Sequence, residues 1–238
     1  MFFRQLFDRE SSSYSYLIAD TVSKEATLVD PVLEQVARDL KLIEELNLTL
    51  RFCLETHIHA DRITGTGRLR DLTGCRGIVP ANTKASCADR YIADNEIIKL
   101  GTIEIRAIET LGHTDSHMAY LVDSDRVLTG DALLIRGCGR TDFQNGDAAT
   151  LYDSVTNRLF TLADETLVYP AHDYQGRTVS TIGEERQYNP RFQQRSIKLS
   201  HEARRSDFIH LMNNLDLAYP RKMMEAVPAN LNCGKIDR

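Results

Sequence analysis

No stretch of this 238-residue chain approaches the roughly 18 consecutive apolar residues of a membrane-crossing helix, which argues against a helical membrane protein. The first ten residues are interrupted by Arg4, Asp8, Arg9 and Glu10, so no secretory leader is expected and the membrane is not an expected partner. Basic residues are not in excess. Lys and Arg number 29 against 34 Asp and Glu, a net charge of -5 with no basic stripe, and a phosphate-binding surface needs one; nucleic acid is therefore not expected either. A CxxC pair is also missing. Cys53, Cys75, Cys87, Cys138 and Cys233 are odd in number and widely scattered, which favours neither a disulfide framework nor a thiolate zinc site and makes a reducing cytoplasm the expected setting.

The composition that remains, 42% hydrophobic and 26% charged without low-complexity segments, is that of a soluble globular protein. One domain over residues 1–238 is expected, with a helical and loop-like region from about 178. Ser13 to Asp20 and Glu25 to Asp30 read as a hairpin of strands, with Tyr14, Tyr16 and Ile18 alternating in the first. Asp30-Pro31 reads as an N-cap and first helical position for an amphipathic helix carrying Val32, Val36, Leu40 and Ile43 to about Leu46. A strand over Thr49 to Glu55 follows, then a short helix near Arg68 to Leu72. Gly65-Thr66-Gly67 lacks the third glycine of a dinucleotide fingerprint and is read as a loop.

Further strands are expected at Gly77 to Pro80, Glu96 to Leu100, Ile103 to Thr110, His117 to Asp123, Arg126 to Thr129 and Glu165 to Tyr169. Helices are expected at Ala148 to Leu162, Glu184 to Tyr188 and His201 to Leu215. A meander of strands, then β/α alternation, then a helical tail points to an αββα layering rather than a parallel dinucleotide-binding sheet.

Metal-competent side chains recur after four of these strands: His57, His59 and Asp61 in Thr56-His57-Ile58-His59-Ala60-Asp61-Arg62, then His113, then Asp131, then His172. A lone loop histidine is usually a surface or hydrogen-bonded residue. Spread jointly over several strand ends, imidazole and carboxylate groups are how a rigid scaffold fixes the geometry of zinc, iron or manganese while leaving positions open. His117, His201 and His210 are read as structural or surface residues, and Cys138 as a packing residue rather than a nucleophile.

With these segments in view, the sequence resembles the metallo-β-lactamase superfamily. Its HxHxDH loop, GH[ST], TGD and late histidine stand here as His57 to Arg62, Gly112-His113-Thr114, Thr129-Gly130-Asp131 and His172. Within the superfamily it most resembles the persulfide dioxygenases, also called sulfur dioxygenases or the ethylmalonic encephalopathy protein family. The stretch from Thr129 to Phe143, Tyr169-Pro170-Ala171-His172-Asp173-Tyr174 and Ala226-Val227-Pro228-Ala229-Asn230 carry that finer likeness. The resemblance implies an α/β fold of the α+β kind, a four-layer αββα metallo-β-lactamase sandwich.

It also implies one Fe(2+) per chain, held by His57, His113 and Asp131, with His59, Asp61, Arg62 and His172 outside the ligand set. The implied reaction takes glutathione persulfide, O2 and water to sulfite and glutathione. Arg140, Tyr174, Arg191 and Asn230 are the implied glutathione contacts, although Arg191 can equally cap a helix and Asn230 close a turn after Pro228. A homodimer, a separate rhodanese-type sulfurtransferase as partner and a cytoplasmic, bacterial-type enzyme complete the expectation.

Arg62 departs from the family pattern, which has histidine there. A guanidinium cannot coordinate a cation, and about 5 Å from a second dication it would cost roughly 7 kcal/mol at an effective dielectric of about 20. Arg62 is therefore read as a cation filling the second-metal position, paired with Asp61, or else as an arginine turned to solvent. Two other functions stay open: a thioester hydrolase of glyoxalase II type, which needs water activated by zinc-like ions, and a binding or sensor protein with a degraded metal site.

Overall fold

In strand β2 (Ser13–Ala19), Tyr14, Tyr16 and Ile18 face one side, Leu17 and Ala19 face the other, and all are buried. A strand buried on both faces needs a layer against each. The computed structural model, which describes residues 1–193 and 200–235, supplies both. Residues 194–199 and 236–238, including part of the tail read as helical and loop-like, lie outside the described residues.

Strand β2 belongs to a six-stranded sheet in the order β1-β2-β3-β4-β5-β6, with β1 at Phe2–Asp8, β3 at Glu25–Val29, β4 at Thr49–Leu54, β5 at Arg76–Pro80 and β6 at Arg90–Ile92. The second sheet runs β12-β11-β10-β9-β8-β7. Its strands are β7 (Ile97–Leu100), β8 (Ile103–Glu109), β9 (Met118–Val122), β10 (Arg126–Gly130), β11 (Leu167–Pro170) and β12 (Ser180–Thr181). Inward residues of the two sheets, among them Tyr16, Leu54, Ile78, Ile105, Tyr120 and Leu128, form the central core. On the outer face of the first sheet Leu17, Leu28 and Cys53 meet α1 (Val36–Glu45) and Leu69 of α2 (Thr66–Thr73). On the outer face of the second, Leu121, Val127 and Val168 pack against α3 (Ala148–Asn157), Ile182 of α4 (Ile182–Tyr188) and Phe208 and Met212 of α5 (His201–Asn213). This is the αββα sandwich of the metallo-β-lactamase fold, an α/β architecture with two mixed sheets. Among the described residues no helix is long and apolar enough to cross a membrane.

Several local readings change. Strands β1, β6 and β12 are additional to those expected: β1 pairs antiparallel along all of β2, while β6 and β12 are too short to show a period in sequence. Asp30 does not cap a helix. Its φ is 52°, its carboxylate turns back to Thr56, and α1 begins only at Val36 after a 3-10 turn over Leu33–Gln35. The segment around Pro228 is a helix, α6 (Met223–Leu231), rather than a turn. Pro228 removes one N–H, and burial of Ala226, Ala229 and Asn230 against the loop that contains Ile63 offsets that loss. Gly65 and Gly67 serve close packing: a Cβ on Gly65 would lie 2.8 Å from Val36 Cγ2, and one on Gly67 would lie 2.4 Å from the Cys233 carbonyl oxygen.

The cysteine pattern is also corrected. Cys87 and Cys233, 146 residues apart, form a disulfide that joins the end of α6 to the segment between β5 and β6. Spacing could not reveal it because the two cysteines meet only through the tertiary fold. Cys53, Cys75 and Cys138 are free. Thiol titration of the denatured protein is expected to find these three without reductant and five with it. Reduction should lower the melting temperature by about 5–10 °C, since closing so long a loop contributes about 2–4 kcal/mol. Five titratable thiols before reduction, or an unchanged melting temperature, would contradict the assignment.

Candidate metal centre

The loops that follow β4, β8, β10 and β11 converge at one end of the sandwich. They bring His57, His113 and Asp131 together so that one donor atom from each lies within 4.8 Å of the others. Nε2 of His57 and of His113 stand 3.8 and 3.5 Å from Asp131 Oδ2, too long for hydrogen bonds but suited to donors that face a common ion.

Each of the three is oriented by an atom that leaves the inward donor open. Asp30 Oδ2 accepts the Thr56 hydroxyl (2.8 Å), so the Thr56 oxygen accepts from His57 Nδ1–H (2.9 Å) and the lone pair of His57 is left on Nε2. His113 donates its Nδ1–H to the Arg140 carbonyl oxygen at 2.7 Å, with the same result. Asp131 Oδ1 accepts from His172 Nδ1 at 2.7 Å, which leaves Oδ2 facing the two imidazoles. Two neutral imidazole nitrogens and one carboxylate oxygen, each without a competing hydrogen bond, fit a divalent transition metal.

Electrostatics support the neutral state of His57 and the anionic state of Asp131. Burial pushes the His57 imidazole well below its ordinary pKa, and the surrounding imidazoles of His59, His113 and His117 push it further. Burial would raise Asp131, but His172 and His113 hold it well below the usual carboxylate range. His172 is displaced upward: burial opposes its charge, yet Asp131 and Asp61 on either side stabilise the imidazolium. Its Nε2–H donates to Asp61 Oδ2 at 3.0 Å. With both nitrogens donating, His172 has no lone pair for a metal.

His59 is turned away from the group. Its Nε2 lies 3.1 Å from Asp30 Oδ1 and 3.1 Å from Arg62 Nη2. Asp30 only accepts and Arg62 only donates, so in either tautomer this nitrogen is occupied. Asp30, Glu55 and His59 form a second buried acid and imidazole cluster. Burial raises the Glu55 carboxyl, which accepts from the Thr64 and Thr66 hydroxyls. The Arg62 guanidinium stands beside this cluster, 1% exposed, and also donates to the Pro31 carbonyl oxygen at 3.2 Å. The expected Arg62–Asp61 pair does not form, nor does Arg62 turn to solvent, because Asp61 is taken by His172.

The remaining sequence candidates divide. Arg140, Tyr174 and Arg191 line a cleft of about 560 Å³ that opens onto His57, His113 and Asp131. The Arg140 guanidinium is already engaged, bidentate to Asp142 at 2.6 and 2.7 Å and donating to the Ala218 carbonyl oxygen at 2.8 Å. Tyr174 is 72% exposed and stacks on His172, with ring centroids 6.0 Å apart. Asn230 is corrected: it lies outside the cleft, buried, and its amide accepts from Thr64 N and donates to the carbonyl oxygens of His59 and Arg62, all at 2.8 Å. It fastens the metal loop from behind. Cys138 lines the cleft, and burial raises its thiol to about 12, which makes it a poor nucleophile.

The supporting roles of two residues escaped the sequence reading, and a third, His117, was read as structural or surface. Asp30 looked like a helix cap and Thr56 like no more than the first residue of the histidine-rich stretch. His117, which burial depresses to about 3, accepts the Asp131 N–H on Nε2 (3.0 Å) and donates from Nδ1 to Thr110 Oγ1 (2.8 Å). Gly130, at φ 53°, leaves room for this ring, since a Cβ there would lie 2.4 Å from His117 Nε2. Only the glycine of Thr129-Gly130-Asp131 hinted at such an approach.

Removing the Thr56 hydroxyl should free the His57 ring to rotate. Thr56→Val is expected to weaken metal binding by roughly 10–100-fold, whereas Thr56→Ser should bind about as tightly as the parent; metal titration of both variants decides it. Asn230→Ala, by contrast, leaves three buried backbone groups unpaired and should destabilise the fold by about 2–4 kcal/mol in denaturant unfolding.

The metallo-beta-lactamase superfamily profile matches residues 8–172. Mouse persulfide dioxygenase ETHE1, a mitochondrial protein, is 48% identical over 233 residues, 97% of this chain and 88% of that protein. The crystal structure of ETHE1 from Myxococcus xanthus superposes with a TM-score of 0.93 and 52% identity, over 99% of this chain and 100% of that one. A hydroxyacylglutathione hydrolase of Bradyrhizobium sp. (strain ORS 278) is more distant, 35% identical over 74% of this chain and 68% of that protein. The chain belongs to the metallo-β-lactamase superfamily and, within it, to the persulfide dioxygenases.

Proposed function

We infer that this chain is a persulfide dioxygenase that converts glutathione persulfide, O2 and water to sulfite and glutathione, with one ferrous ion bound by His57, His113 and Asp131. The observation that carries the reading is the convergence of three donor atoms that no hydrogen bond occupies, within 4.8 Å of one another on His57, His113 and Asp131, while both nitrogens of His172 are taken and His59 lies outside that group. Two imidazoles and one carboxylate form the donor set of mononuclear non-haem iron oxygenases. A ferrous ion held there would supply the one-electron chemistry by which O2 can react with a persulfide.

The surrounding residues hold and orient. His172, donating to both Asp131 and Asp61, keeps the Asp131 carboxylate anionic and its Oδ2 turned inward. Arg140, Arg191 and Tyr174 offer cations and a hydroxyl along the cleft for the carboxylates of the tripeptide. Because Arg140 is paired with Asp142, a substrate carboxylate would bind there by exchange with that partner.

The hydrolase reading is disfavoured on the same grounds. Water activation between two ions would need donors from Asp61, His172 and residue 62. Here Asp61 and His172 hold each other, and position 62 carries a guanidinium.

Protein purified without oxygen is expected to contain about one iron per chain and to consume O2 only when glutathione persulfide is added. Two zinc ions per chain with thioester cleavage and no O2 uptake would overturn the proposal. Asp131→Ala should lose both iron and O2 uptake, and retention of iron by that variant would overturn the ligand set.

A further inference from the structure

Arg62 is one of the largest fully buried side chains of the molecule. Buried charges are ordinarily matched by an opposite charge in contact, because the interior screens them poorly. Arg62 has no such contact among the described residues. Its guanidinium reaches a carbonyl oxygen and an imidazole nitrogen, and its Nε makes no hydrogen bond.

A continuous run of short contacts leads from this cation to the metal group. Arg62 Nη2 meets His59 Nε2 at 3.1 Å, and His59 Nε2 meets Asp30 Oδ1 at 3.1 Å. Asp30 Oδ2 then takes the Thr56 hydroxyl at 2.8 Å, and Thr56 Oγ1 takes His57 Nδ1 at 2.9 Å. The rings of His57 and His59 lie 4.1 Å apart. The same charge acts on Asp61, which connects through His172 to Asp131. Arg62 therefore bears on two of the three donors without touching either.

We propose that Arg62 is a positioning residue for the charge state of the centre: its buried positive charge, linked to His57 through His59, Asp30 and Thr56, holds bound iron in the ferrous form. This rests on the reading that His57, His113 and Asp131 bind iron. A fixed positive charge in a poorly screened interior repels a trivalent ion more than a divalent one, so it raises the energy of the oxidised centre. Arginine stays protonated at all working pH values, whereas a histidine at this position would lose its charge near neutrality.

The test is a mediated redox titration of the iron-loaded, full-length protein, in which a mediator delivers one electron to each ferric ion and the ferric signal is followed by electron paramagnetic resonance. At one ambient potential, Arg62→Met is expected to lower the ferrous-to-ferric ratio on the order of tenfold, equivalent to about 59 mV for a one-electron couple. Arg62→Lys, which keeps the charge, should stay within about threefold of the parent. Arg62→His at pH 8 places the residue usual in the HxHxDH pattern there and should behave as Arg62→Met, so the comparison survives if the methionine variant does not fold. Identical ratios in the parent and a folded neutral variant, or a lysine variant that matches the neutral ones, would overturn the proposal while iron binding stands. A parent protein that takes up no iron would overturn the underlying reading as well.

Discussion

The carboxylate of Asp30 joins the scaffold to the chemistry. It lies just beyond the end of β3, is 1% exposed, and receives the backbone N–H of Thr56 at 2.7 Å, the Thr56 hydroxyl and the His59 contact. One buried anion thus ties the neighbouring strands β3 and β4 together where β4 opens into the metal loop. Burial alone would raise its pKa, but His59 and Arg62 keep it below the ordinary value, so it remains an acceptor for each of these donors. The orientation of His57 and the diversion of His59 both depend on it.

Around that anion, charge is distributed by which atoms still have lone pairs. Asp131 gives one oxygen to His172 and keeps the other for the metal group. His172 gives both nitrogens to carboxylates, and His59, its Nε2 occupied by Asp30 and Arg62, belongs to the neighbouring cluster with Asp30 and Glu55. Of the loop's histidines, His57 alone stands in the group with His113 and Asp131.

The metal loop is held from behind as well as from the sheets. Asn230 binds backbone at His59, Arg62 and Thr64, Gly67 N donates to the Cys233 carbonyl oxygen at 2.9 Å, and the Cys87–Cys233 bond anchors the end of α6. A loop with long polar side chains is thereby kept to one backbone path while its inner side chains remain positioned for function. Close approach of main chain to main chain explains why Gly65 and Gly67 follow the histidines, although they look like part of a nucleotide fingerprint.

Alternation in β2, the β-type runs that form β8 and β9, and the strand-end placement of His57, His113, Asp131 and His172 were legible in the sequence, since side-chain period and residue chemistry are local properties. They sufficed for the αββα layering and the candidate donors, and the family followed from the resemblance of the motifs. Short edge strands such as β6 carry too few residues to show a period, and Asp30, Asn230 and the Cys87–Cys233 pair act through partners 26 to 171 positions away. By itself, the sequence determined which groups could bind a metal, because imidazole and carboxylate carry that chemistry wherever they stand. Only the tertiary structure decided which atoms stay open to do so, because a lone pair is left for the ion only where no buried neighbour has already taken it.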